Sequence, residues 1–367
     1  MANLRDDIRK LWTDTFDDKA EWVEMFFTRV YRDDDVMVLR PDGNGSRPAS
    51  ALLLQRYAMN FHGATVGCAY ICGAATRRNE RGKGLMTRLL ATSLREARER
   101  GDMLVTLIPA EGHLYYYYAA RGFSTVFYTR NRRYTSCHPF AGPGEFTIVD
   151  DPYAVGVYEA FSRMERNIDG RILHSQRDFL NILDDTRLDG GHCAIIADAS
   201  GKICGIGFAA ERDGLGVITD ILADNADAEQ AVLRRLHASL PDLPVKYPAR
   251  PGNCERFLSP RAMGRIVNVP TALEAIAASH PRLRAIYRIT DPLLAENSGV
   301  YRLQGGTCER LAPGHRGRLD LDREVWQRSV DLDVDIDVFT RAVFSGPPIG
   351  ELLGLPSIRP DMALMLD

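Results

Sequence analysis

One stretch of the chain limits what it can fold into more than any other: Ala74-Ala-Thr-Arg-Arg-Asn-Glu-Arg-Gly-Lys-Gly-Leu-Met86. A strand-like run from Ala64 to Ala75 stops, and glycines follow at positions 82 and 84. Leu85, Met86, Leu89, Leu90, Leu94 and Ala97 then recur at the spacing of one helical face, up to Gly101. This order sets the backbone N–H groups of Gly82, Lys83, Gly84, Leu85 and Met86 at a helix start. Unpaired donors and the helix dipole favour a phosphate there. Glycine lets the backbone approach a ligand closely, and Arg81 and Lys83 add positive charge.

The flanking patterns extend this reading. Apolar residues between Asp6 and Val30 predict one or two amphipathic helices. Strands are predicted at Val36–Leu39, Ala51–Ala58 and Ala64–Ala75, with a turn at Gly43–Gly45, as an antiparallel meander. Beyond the long helix come a strand at Met103–Ile108, a helix at Leu114–Ala120 that Gly122 can cap, and a strand at Ser124–Tyr134. The loop-like Pro139–Gly144 marks a first boundary. After it, helices near Tyr158–Arg166 and Gln176–Leu183 precede a hairpin at Cys193–Phe208, a strand at Gly216–Ile221 and a helix at Ala226–Leu240. This echoes the first part without its glycine turn. A second change comes near Met263–Val269. Helices are then expected at Ala272–Ala278 and near Arg323 and Val338, with strands at Leu283–Thr290 and Val300–Leu303. The apolar end, Asp361-Met-Ala-Leu-Met-Leu-Asp367, reads as buried, unlike an ordinary frayed tail.

Two phosphate-binding loops fail on residue identity. A Walker loop needs glycine at Arg77 and serine or threonine at Gly84, and a dinucleotide fingerprint needs glycine or alanine at Thr87. A third pattern fits better. Arg81-Gly-Lys-Gly-Leu-Met86 resembles the R-x-x-G-x-G/A turn of GNAT acetyltransferases, departing from it at Met86. Tyr118-Ala-Ala-Arg-Gly-Phe123, at the right distance, resembles the Tyr-x-x-x-Gly-Phe that ends the short helix of that family. Together with Leu107-Ile-Pro-Ala-Glu111, the set is similar to the Eis-like branch.

The resemblance implies an α+β protein in three parts: a GNAT N-acetyltransferase domain over 1–140, a degenerate GNAT-like domain over 141–265 and a sterol-carrier-like domain over 266–367. It implies acetyl-CoA as acyl donor, its pantetheine paired with the backbone at Ala74, Ala75 and Thr76, and its diphosphate held by the turn from Arg81 to Met86. It also implies a tyrosine near the sulfur as general acid. Counting back from Gly122 selects Tyr118, whereas counting forward from Glu111 selects Tyr115, one helical turn away. In this branch the terminal carboxylate serves as base, which falls on Asp367, although the family usually ends in an aromatic residue. The acceptor implied is a primary amine: an aminoglycoside, polyamine or lysine-like group, attacking the thioester directly. A different expectation is a non-catalytic protein that senses acetyl-CoA or holds a lipid in its last domain. Glu111 reads equally as an amine-attracting group or a helix cap, His113 as structural, and Asp33-Asp-Asp35 as a solvated turn.

Composition argues against several other classes. A net charge of −3 gives no reason to expect nucleic acid or a membrane as partner. The odd count of seven cysteines, without a C-x-x-C, and eight scattered histidines suggest reduced thiols and no metal. The charged N-terminus lacks the apolar core of a signal peptide and no run suits a bilayer span, so the expected place is the cytoplasm; a homo-oligomer is possible.

Overall fold

The computed structural model describes residues 4–40, 47–140, 145–252, 257–311 and 330–366. The Gly43–Gly45 turn, the end of the Pro139–Gly144 loop, Cys254, the helix expected near Arg323 and Asp367 lie outside the described residues. The chain divides into two compact units, each gathered from separated stretches. One comprises Met1–Asp33, Tyr128–Ser259 and Asp361–Asp367; it is called the tail-bearing unit below. The other comprises Asp34–Phe127 and Pro260–Pro360, the glycine-turn unit. Both mix helices with sheet, so the fold is α+β.

In the glycine-turn unit, strands Val36–Leu39, Ser50–Phe61, Ala64–Thr76, Asp102–Leu107 and Ser259–Ile266 lie side by side in that order. The first three form the antiparallel meander. The third and fourth run parallel and therefore need a crossover, which helix Leu85–Glu99 supplies. The fifth returns from far along the chain, setting Met263–Ile266 antiparallel to Leu104–Leu107. The helix buries Leu89, Leu90, Leu94 and Ala97 against Leu52, Leu54, Ala69, Ile71 and Val105. Each fully buried leucine contributes about 1.5–3 kcal/mol, so this stripe fixes where the helix begins. A second sheet orders Thr307–Leu311, Gly299–Gln304, Ala285–Thr290 and Leu332–Asp335. Helices Val269–Ser279, Ile336–Val343 and Pro347–Leu353 belong to the same unit. Asp35 is buried with Arg56 Nε at 3.6 Å, so only Asp33 and Asp34 of the acidic run face solvent.

In the tail-bearing unit, Ser124–Tyr134 pairs through its last five residues with Val245–Ala249. Leu215–Ala223, Ile203–Arg212, His192–Ala197 and Thr147–Ile148 follow in order. The expected hairpin forms, with Cys193 opposite Phe208. Helix Ala226–Ser239 lies close on it: a Cβ on Gly205 or Gly207 would sit 2.7 or 2.5 Å from a Val232 methyl. Helices Leu4–Thr13 and Ala20–Met25, the latter running into a π-turn at Phe26–Val30, bury Trp12, Phe26 and Phe27. The final segment is buried at Met362, Ala363 and Leu366, in keeping with its composition. Met362 and Leu366 are 3% and 5% exposed, and Leu366 packs in a cluster with Phe161, Phe179 and Phe208. Asp361 anchors it with a backbone bridge to Arg171 and a 2.6 Å ion pair to the same residue. Arg171 is fully buried and also meets Glu165 and Asp220.

Candidate functional site

The parallel pair in the glycine-turn unit is paired over only part of its length. Its register runs from Gly67 opposite Asp102 to Ile71 opposite Leu107 and stops there. The strand Ala64–Thr76 nevertheless continues to Thr76 against its other neighbour, with Ala75 opposite Ala51 and Thr76 opposite Ser50. Between Cys72 and Ala75 that second ladder slips, so Gly73 and Ala74 share the place opposite Leu52. Gly73 has φ +60°, the left-handed conformation of a glycine bulge, which bends and twists a strand. Past Ile71, the edge that faced Asp102–Leu107 carries backbone groups with which no strand among the described residues pairs. Ala74 and Thr76 are half-buried and Ala75 is buried. Thr76 is held from the other side: its hydroxyl lies 2.9 Å from that of Ser50, and Arg77 N–H bonds the Ala49 carbonyl at 3.0 Å.

The turn follows within a few residues. Arg81, Gly82, Lys83 and Gly84 are exposed, Leu85 is buried and Met86 is half-buried. Gly84 is the N-cap of helix Leu85–Glu99 in the left-handed region at φ +73°, and no side chain caps it. No acidic residue stands in the first turn. A Cβ added at Gly82 or Gly84 meets nothing within 4 Å, so the described residues do not crowd either glycine. A helix end of this kind carries roughly half a positive charge. Arg81 donates from Nε to the Thr76 carbonyl at 3.0 Å, tying the turn to the strand end, and Lys83 pairs with Glu80 at 2.9 Å. The donor set suits a diphosphate.

The tyrosine run forms helix Gly112–Ala119. Tyr116 points to solvent, whereas Tyr118 is 7% exposed and packs edge-on against Tyr117 and Phe123. Tyr115 donates its hydroxyl to the Arg261 carbonyl at 3.0 Å. The Tyr118 hydroxyl makes no side-chain hydrogen bond with the described residues, and burial pushes its phenol up to about 12. Glu111 is the N-cap of this helix without a side-chain cap bond, and it pairs with exposed His113 at 3.1 Å.

Several groups that shape this site belong to no local sequence motif. Arg265 is fully buried, pairs with Asp291 at 2.8 Å and donates to the Arg121 carbonyl at 3.2 Å. Burial alone would raise the Asp291 pKa, but Arg265 and Asn297 hold it below the usual carboxylate value. Gly122, at φ +79°, leaves room for Arg265, since a Cβ there would lie 2.8 Å from its Nε. This glycine therefore serves a close approach as well as a helix end. Thr87, Tyr117 and Arg121 form a further cluster beside the turn. Only the glycines of these sets carried a local signal, because the other contacts join residues far apart in the chain. Asp367 lies outside the described residues; the segment leading to it belongs to the tail-bearing unit, and Tyr118 to the glycine-turn unit.

Residues 3–125 match the family model of the acetyltransferase (GNAT) domain. A Streptomyces avermitilis protein named an uncharacterized N-acetyltransferase is 28% identical over an alignment of 192 residues, gaps included, that covers 46% of this chain and 46% of that protein. The match thus spans less than half of that relative. A conserved protein of unknown function and probable N-acyltransferase from Enterococcus faecalis V583 superposes with a TM-score of 0.73 at 16% identity, covering 98% of this chain and 96% of that one. Eis1 from Mycobacterium abscessus gives a TM-score of 0.69 at 14% identity, covering 95% and 89%. A GCN5-related N-acetyltransferase from Kribbella flavida also gives 0.69, at 16% identity, covering 97% and 95%. At these identities the structures show a shared fold.

Proposed function

We propose that the GNAT acetyltransferase domain of residues 3–125 transfers an acetyl group from acetyl-CoA to a primary amine, by direct attack of the amine nitrogen on the thioester carbon. The observation that carries this reading is the uncapped glycine turn standing beside a strand edge that its parallel neighbour has left. The N–H groups of Gly82 to Met86 would hold the diphosphate, with the dipole of helix Leu85–Glu99 behind them. The open edge at Ala74, Ala75 and Thr76 would pair with pantetheine amides and so align the thioester, and positioning of this kind supplies much of the rate in such transfers.

In the transfer the C–N bond forms, the C–S bond breaks and the leaving sulfur takes a proton. Tyr118 is the proposed donor to that sulfur, because its hydroxyl makes no side-chain hydrogen bond among the described residues while that of Tyr115 is taken by the Arg261 carbonyl. A phenol at about 12 is a weaker acid than an ordinary thiol near 8.5, so Tyr118 donates a hydrogen bond that strengthens as charge develops on sulfur, and the departed thiolate takes its proton from solvent. The ammonium proton goes to a base, for which a carboxylate of Asp367 is proposed on the family resemblance. The same resemblance supports a three-part layout over 1–140, 141–265 and 266–367, and an aminoglycoside, polyamine or lysine-like acceptor.

The test is thiol release from acetyl-CoA against a library of primary amines. Amine-dependent release with matching N-acetylated product is expected. Bound lipid in native mass spectra together with no acetylation of any amine would contradict the proposal and favour a binding protein.

A further inference from the structure

We infer that Arg121 is a positioning residue that couples the glycine-turn helix to the tyrosine helix. Thr87 is the third residue of helix Leu85–Glu99, and Arg121 lies three residues after Tyr118. The Arg121 guanidinium donates to Thr87 Oγ1 from Nε at 3.2 Å and from Nη2 at 2.5 Å. It donates through Nη1 to the Tyr117 carbonyl and lies 3.5 Å over the Tyr117 ring. The Tyr117 hydroxyl closes the set at 3.4 Å from Thr87 Oγ1. The Arg121 carbonyl is itself fixed by buried Arg265. One planar cation thereby ties the first turn of the proposed diphosphate cradle to the last turn of the helix that aims Tyr118. A planar fork that bonds and stacks at once is a geometry lysine does not reproduce.

This inference rests on the acetyl-transfer reading, and its outcomes separate from that reading's. The experiment measures steady-state kinetics with acetyl-CoA and an accepted amine for wild type, Arg121→Ala, Arg121→Lys, Thr87→Val and the Arg121→Ala/Thr87→Val pair, with thermal melts alongside. If the link positions Tyr118, Arg121→Ala lowers kcat about tenfold and moves KM for acetyl-CoA by less than about threefold. Arg121→Lys recovers little of the loss, and Thr87→Val, which removes only a hydroxyl, lowers kcat about threefold. The paired variant loses no more than Arg121→Ala alone, as expected of side chains acting as one unit. Additive losses, or a raised KM with unchanged kcat, would overturn the inference; the latter would make Arg121 a phosphate contact. Absence of acetyl transfer by wild type would instead overturn the reading beneath it.

Discussion

Two strand–turn–helix passages, one in each unit, differ at the start of the helix. In the glycine-turn unit, strand Ala64–Thr76 reaches helix Leu85–Glu99 through Gly82 and Gly84, and no side chain closes the helix start. In the tail-bearing unit, strand Leu215–Ala223 reaches helix Ala226–Ser239 directly through Asn225, whose side chain accepts from Ala228 N–H at 2.9 Å. Asp227 and Glu229 stand in that helix's first turn, and Asp224 before it is paired with Arg163 and Lys202. Each helix follows a strand that has a parallel neighbour. The same local architecture is thus left uncapped by any side chain in one unit and capped by an amide, with carboxylates in the first turn, in the other. Hydrogen-bonding capacity at a helix start is either used for stability or kept for a ligand.

The comparison breaks most severely if the open turn is given the other's chemistry. Gly84→Asp places a carboxylate at the cap, where it accepts the first-turn N–H groups and repels a diphosphate. Affinity for CoA, measured by calorimetry, should fall on the order of a thousandfold, about 4 kcal/mol. Unchanged affinity would mean that the diphosphate binds elsewhere.

Tyr118→Phe has the next largest effect. Turnover should drop about a hundredfold while CoA affinity stays near wild type. With its phenol held up to about 12 by burial, Tyr118 stays protonated well beyond neutrality. The residual activity should therefore keep the wild-type pH profile below pH ~10 at reduced height. An alkaline limb that vanishes in the variant would show that the phenol titrates lower.

Asn225→Ala gives the smallest effect and the control. Loss of the cap should cost about 1 kcal/mol of stability in a denaturant melt, with CoA affinity unaltered. A CoA titration that changed with this variant would remove the distinction between the two turns.

How much of this was legible in the sequence depended on the range of the interaction. The glycines at 82 and 84, the leucine stripe behind them and the ending at Gly122-Phe123 act within a turn or two, and periodicity exposed the helices they bound. The Gly73 bulge was within reach too, but a lone glycine in a strand has no mark of register until its neighbour is known. Arg265 was out of reach. Nothing in its surroundings in the chain reveals that strand Ser259–Ile266 returns to Leu104–Leu107 and brings a buried cation under Gly122. The choice between Tyr115 and Tyr118 stayed open for the same reason, because the carbonyl that occupies Tyr115 belongs to Arg261. Asp35 read as solvated for want of its partner on the neighbouring strand, Arg56.

The most direct test follows the backbone amides of both helix starts by selective ¹⁵N labelling during a titration with CoA. Saturable shifts at Gly82, Gly84, Leu85 and Met86, with none at Ala226 or Ala228, are the result expected. Shifts confined to the Asn225 turn, or absent from both, would contradict the claim that the open glycine start is the anion-binding element.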